Sequence, residues 1–469
     1  MSPRKDELAF HTATELVAAY ERKELSPVEA TTAVLERIEA VDGTLNAFCV
    51  VDRDGALAAA KESEERWQRG EPSGPVDGVP TSIKDMFLTR GWPTLRGSRT
   101  VEPDQEWAVD APSVARLRAA GAVLVGKTTT PELGWKGVTD NTLSGVTRNP
   151  WDPTRTPGGS SGGSSAAVAA GMGQLSVGTD GGGSVRIPGA FAGIFAMKPT
   201  YGRIPLYPPS PFGTLSHAGP MTWTVDDGAL LLDVISAPDA RDWSALSPPA
   251  ASFLGAIGGG IAGRRVAFSL DLGFVDVHPE VADLVRTAVG ALVEAGADVE
   301  ERDPGFADPV EAFSVLWYAG AAKFVEPLTD EQRALLDPGL REITAQGATY
   351  SALDYLEATA QRMSLGVAMG EFHETYDLLV TPTVPIPAFT AGREVPEDWT
   401  ESRWTSWTPF TYPFNLTQQP AATVPCGFTS GGLPVGLQIV GARHADALVL
   451  AAAKAFQEAR PWTATRPQL

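Results

Sequence analysis

Two glycine- and serine-dense segments lie close together in the chain, Gly158-Gly159-Ser160-Ser161-Gly162-Gly163-Ser164-Ser165 and Gly178-Thr179-Asp180-Gly181-Gly182-Gly183-Ser184-Val185-Arg186. A serine hydroxyl is a weak nucleophile until a neighbouring base takes its proton; it can then attack a carbonyl carbon. The usual base is scarce: downstream stand only His217, His278, His373 and His444, none in a recognisable catalytic context. Metal chemistry has no better footing, because no pair of histidines or cysteines sits at ligand spacing. Such Gly and Ser density usually marks a flexible linker. Here it is interrupted by the helix-like Ala166-Ala167-Val168-Ala169-Ala170 and punctuated by Pro157, Pro188 and Pro199, which reads as a packed scaffold.

Two motif matches fail on their context. Gly121-Ala122-Val123-Leu124-Val125-Gly126-Lys127-Thr128 fits the phosphate-binding P-loop pattern letter for letter. A P-loop needs a strand followed by a loop whose amides wrap phosphate. In this chain the variable positions are themselves the apolar strand, and Pro131 stands where the helix should run. Gly158-Gly159-Ser160-Ser161-Gly162 fits the nucleophile-elbow pattern, which requires a strand just before the serine. The preceding Pro153-Thr154-Arg155-Thr156-Pro157 is a poor strand.

The elements that must hold these segments read as α/β. Ser26-Pro27-Val28-Glu29 is a capping box with proline at the first helical position, and Ala30, Val34, Ile38 and Val41 follow as a helix-spaced apolar stripe. Strand-like runs at 78–85 and Val123-Leu124-Val125 flank a helix-like Ser113 to Ala120. Strands alternating with helices imply an α/β sandwich. The 469 residues read as a single domain with a helical region to about residue 70 and an inserted lobe over about 250–375. The sheet pattern returns over about 376–469, ending in an Ala-rich helix from Asp446 to Glu458. A hydrophobic content of 43% supplies a large core. A net charge of −20 disfavours nucleic acid and leans towards uncharged substrates. Only Cys49 and Cys426 are present, no run is long enough to span a membrane, and the charged start Met1 to Glu7 lacks a signal-like apolar stretch. A cytoplasmic protein is expected.

Together the two segments resemble the amidase signature family. The resemblance extends through Gly78-Val79-Pro80 with Lys84-Asp85, Gly126-Lys127-Thr128, Pro131-Glu132, Asp377 to Pro382, Pro413 to Asn415, and Gly432-Leu433-Pro434-Val435-Gly436-Leu437-Gln438. It covers most of the chain and is weakest over 240–375. It implies a mixed β-sheet flanked by helices on both faces, and an amide hydrolase that needs no metal or organic cofactor. Carried over position by position, it makes Ser184 the nucleophile, Ser160 a bridging serine on a cis peptide, and Lys84 the base. The separation of Ser160 from Ser184 is the one the family motif expects. A lysine serves as base only when neutral, so Lys84 is expected to be buried, its pKa driven below the ordinary value of about 10.4. Gly181, Gly182 and Gly183 are expected to turn backbone N–H groups towards the oxyanion. Ser161 is expected to shape the site, and Asp180 and Arg186 to brace the loop.

Two positions depart from the family pattern. Gly181 replaces a larger residue, often threonine, which either opens space beside the nucleophile or loosens the oxyanion hole. Gln418-Gln419-Pro420 stands where glycine is commoner, in a segment expected near the acyl pocket. The loop from about Arg393 to Phe414 carries Trp399, Trp404, Trp407, Phe410 and Tyr412, which suit an apolar pocket or the packing of a lid. Expected substrates are small hydrophobic or aryl amides, with esters and carbamates (urethanes) as relatives. The chain is expected to act as a monomer or homodimer on such a small-molecule amide or carbamate, without nucleic acid or membrane. The alternatives are the glutaminase subunit of a transamidating complex, or a non-catalytic binding protein on the same scaffold.

Overall fold

The computed structural model describes residues 5–469, so the first four residues of the charged start lie outside the described residues. Eleven strands form one mixed sheet: β1 (Phe48–Val51), β2 (Pro80–Lys84), β3 (Val123–Thr128), β4 (Leu175–Asp180), β5 (Phe195–Lys198), β6 (His217–Thr222), β7 (Arg265–Phe268), β8 (Asp298–Glu301), β9 (Leu378–Pro382), β10 (Ala421–Phe428) and β11 (Pro434–Gly441). Their order across the sheet is β1-β3-β2-β4-β6-β5-β10-β11-β9-β7-β8. The pairs β2/β3, β2/β4, β7/β9 and β7/β8 are parallel and the rest antiparallel.

Successive side chains of a strand face opposite ways, and here both ways lead into core. Leu378 and Val380 pack with the helices Val225–Ile235, Pro279–Glu294 and Asp446–Ala459, whereas Leu379 packs with Val310–Val325 and Ala352–Thr375 on the other face. Val123 and Val125 meet the helix Pro27–Leu45. That helix starts where its capping box predicts. The Glu29 amide donates to Ser26 Oγ at 3.2 Å and the Ser26 amide to Glu29 Oε2 at 2.9 Å.

The segment expected as an inserted lobe divides in two. Its first part supplies β7 and β8, which close one end of the main sheet in parallel pairing. Its second part is helical and covers the face that also buries Trp135, Trp404 and Trp407. The glycine- and serine-dense centre is packed scaffold, buried without a break from Thr156 to Gly178 and containing the helix Gly162–Ala169.

Parallel β2 and β4 are neighbours, with Ile83 opposite Val177, so Lys84 at the carboxyl end of β2 stands beside the end of β4 that carries Thr179 and Asp180. Carboxyl ends of parallel strands are where open α/β sheets gather ligands and reacting groups. Among the described residues no helix is long and apolar enough to cross a membrane.

Candidate active site

Lys84 ends β2 fully buried, and its Nζ reaches three hydroxyls: Ser160 Oγ at 2.7 Å, Thr179 Oγ1 at 2.8 Å and Ser161 Oγ at 2.9 Å. No carboxylate hydrogen-bonds to it among the described residues. Burial drives its pKa well below the ordinary lysine value, and the Asp180 charge offsets this only in part.

The Gly159–Ser160 peptide is cis. A side chain on Gly159 would come within 2.4 Å of the Val138 carbonyl, so only glycine lets this turn press against its neighbour. Ser161 ties the two serine segments together: its amide donates to Ser184 O at 3.1 Å and its hydroxyl to Thr179 O at 3.1 Å.

Asp180 and Arg186 form a fully buried ion pair through Nε at 3.0 Å. Arg186 also donates to Thr411 O, Gln438 Oε1 and Asn415 Oδ1, while Asn415 Nδ2 donates back to Asp180 Oδ1. Burial alone would raise the Asp180 carboxyl. The Arg186 charge and hydrogen bonds outweigh it and hold the group well below the carboxylate range.

The same carboxylate shapes the Ser184 loop, accepting from the amides of Gly183 at 2.7 Å and Val185 at 3.2 Å. The Gly183 N–H is therefore committed to Asp180, which corrects the expectation that it faces the oxyanion. Gly183 instead supplies the turn, with φ +128° and no room for a Cβ beside Thr411. The amides of Gly181, Gly182 and Ser184 have no partner among the described residues.

Ser184, Ser160, Thr179 and Gly181 line a cavity of about 360 Å³. Its wall is largely apolar, from Met86, Leu206, Phe212, Trp317, Phe324 and Leu340. Phe212 stacks on Trp317 with centroids 3.7 Å apart. The departure at Gly181 is thereby explained: a Cβ there would sit 2.7 Å from the Trp317 ring, so the space beside Ser184 is taken by that indole.

Trp399, Trp404 and Trp407 do not line this cavity, contrary to the pocket expected of them. Trp404 and Trp407 are core residues pressed behind the site, Trp404 against Gly182 and both against Gly137. Trp399 is half-buried and donates to Ser406 Oγ at 2.8 Å. Gln418 and Gln419 likewise line a different cavity, beside Arg362 and His373, and the Gln419 side chain bonds His373 and Gly441 O. Lys127 of the P-loop-like motif is buried in β3 and paired with Asp85 at 2.8 Å. Sequence reasoning missed Thr179, Arg96, Phe212 and Trp317. The one available pointer was Gly181, whose missing side chain implied a large neighbour.

A family model described as Amidase matches residues 29–450. The chain is 39% identical over 468 residues to an acylamidase of Rhodococcus erythropolis, covering 98% of each. It is 37% identical over 488 residues to a glutamyl-tRNA(Gln) amidotransferase subunit of Chloroflexus aurantiacus, covering 99% of each. A solved bacterial aryl acylamidase superposes with a TM-score of 0.91 at 32% identity, over 98% of this chain and 99% of that one. Matched along nearly its whole length, the chain belongs to the amidase family: it is an amidase signature enzyme, a hydrolase of amide bonds.

Proposed function

We propose that the enzyme hydrolyses small hydrophobic or aryl amides through an acyl-enzyme on Ser184, and that esters and carbamates (urethanes) are accessible relatives because the attacked carbonyl and the oxyanion are alike in kind. The observation that carries this reading is the buried Lys84 amine 2.7 Å from Ser160 Oγ, held among hydroxyls instead of carboxylates. Burial lowers the pKa of such an amine and so favours the neutral form that can accept a proton. Lys84 takes the Ser160 proton as Ser160 takes the Ser184 proton, and Ser184 Oγ bonds to the carbonyl carbon. The unpartnered amides of Gly181, Gly182 and Ser184 stabilise the oxyanion. The C–N bond then breaks, the amine leaves with a proton returned through Ser160, and water attacks the acyl-enzyme to restore Ser184.

The likeness to a glutamyl-tRNA(Gln) amidotransferase component supports a second reading, glutamine-dependent ammonia release within a complex. The cavity lining favours the first, since among the described residues it holds no carboxylate to meet the ammonium group of glutamine, which would lie against an apolar wall. We place the enzyme in the cytoplasm, in keeping with its two free cysteines. The deciding test is hydrolysis of matched 4-nitroanilide, 4-nitrophenyl ester and 4-nitrophenyl carbamate, with Ser184→Ala as the blank and ammonia from glutamine measured in parallel. Anilide turnover lost in the variant is the expected result; ammonia from glutamine alone would overturn it.

A further inference from the structure

The cavity over Ser184 carries one charged side chain, and the reaction proposed above does not use it. We propose that Arg96 is a substrate-binding residue whose guanidinium takes a carboxylate at the end of the substrate remote from the scissile bond. The preferred amides are then those of dicarboxylic acids with one end free. This rests on the amide-hydrolase reading and narrows its substrate class.

Arg96 lines the same cavity as Ser184 and Ser160, with its Cζ 5.9 Å from the ring of Phe324, another lining residue. Among the described residues its guanidinium makes no hydrogen bond and no ion pair. The carboxylate that acts on it through space, Asp85, is already engaged by Lys127 at 2.8 Å. A guanidinium presents five donors in a planar fork that matches a carboxylate, and this half-buried one faces the cavity with no protein partner among the described residues. Burial lowers its pKa from the ordinary value, yet arginine remains a cation at neutral pH.

The backbone gives a second, independent observation. Arg96 holds φ +56°, a left-handed conformation that glycine adopts at less cost, and its carbonyl is fixed by the Leu133 amide at 2.7 Å. A strained non-glycine residue beside a reacting serine points to a use for its side chain. The net charge of −20 does not oppose this, because salt screens distant charges beyond about 8 Å whereas a contact inside the cavity is unscreened.

The test compares glutaryl-4-nitroanilide with its methyl ester, which differ at the far end by charge. In the wild type the free acid should have the higher kcat/KM. In Arg96→Met the ratio of the two kcat/KM values should fall about 30-fold, mostly through KM of the acid, and Arg96→Lys should recover part of it. An unchanged ratio, with both substrates falling together or neither moving, overturns the proposal. Should Arg96→Met fail to fold, both compounds are titrated by calorimetry into Ser184→Ala. Binding of the acid at least about tenfold tighter than the ester supports the assignment, and equal or weaker binding overturns it. This binding arm also separates the two ideas: absent turnover of either anilide by wild type counts against aryl-amide hydrolysis, while the binding difference still decides Arg96.

Discussion

Lys84 Nζ stands 2.7 Å from Ser160 Oγ, and no carboxylate hydrogen-bonds to this buried amine among the described residues. The buried Lys127, by contrast, is paired with Asp85 at 2.8 Å. Lys84 instead gives up its proton below the ordinary lysine pKa. The profile of kcat/KM on an aryl anilide should therefore rise with loss of one proton and level off below about pH 10.4. The linkage has the matching sign. The unfolded chain keeps this proton up to about pH 10.4 and the folded chain releases it earlier, so Lys84 favours folding more as pH rises between those values. An activity maximum on the acid side would contradict the neutral amine.

Ser160 should matter more for amides than for activated esters. An amine must be protonated to leave, whereas 4-nitrophenolate leaves as the anion. Ser160→Ala is expected to lower kcat on an anilide by about 10³-fold, within the range of general acid–base effects, and on the 4-nitrophenyl ester by clearly less. Ser184→Ala should abolish both. Equal losses in Ser160→Ala would deny Ser160 the delivery of the leaving-group proton.

The Asp180–Arg186 pair holds the Ser184 loop and closes on two other segments, through Thr411 and Asn415 in one and Gln438 in the other. Removing one partner strands the other charge in the core. Asp180→Asn should cost about 3–5 kcal/mol in urea unfolding. Because the folded Asp180 carboxyl lies below its unfolded value of about 3.9, its contribution is present above that pH and is lost as pH falls further. Wild type should accordingly lose stability more steeply than Asp180→Asn below about pH 4. Parallel acid profiles would deny the carboxylate this role.

The framework was legible because it is local or rigidly spaced. The capping box at Ser26, the strand ending at Lys84 and the buried helix at Gly162–Ala169 each follow from a short run of residues. The cavity wall was not legible, because it is assembled from segments far apart in sequence whose meeting depends on sheet order. Phe212 and Trp317 lie on opposite sides of β7 and β8 in the chain, and only the folded sheet stacks their rings. The aromatic run near Trp404 misled for the converse reason. Local density marks burial without telling a core from a pocket, and Trp404 and Trp407 fill the core behind Gly182 and Gly137.

Gly181 and Trp317 should behave as a pair. A Cβ at residue 181 would lie 2.7 Å from the Trp317 ring, and that ring is held by stacking on Phe212 with centroids 3.7 Å apart. Gly181→Thr must therefore displace the indole or the loop that presents the amides of Gly181 and Gly182. Overpacking of this kind costs about 1–3 kcal/mol of folding stability, and displacing that loop should lower kcat/KM on aryl amides as well. Trp317→Leu alone should raise KM for aryl substrates by removing half of the stacked wall, with a smaller effect on short aliphatic amides. In the double variant the leucine relieves the clash, so kcat should recover towards that of Trp317→Leu even though the aryl KM stays high. Strictly additive losses in this double-mutant cycle would show that the two residues act separately, and that the glycine at 181 serves the backbone alone.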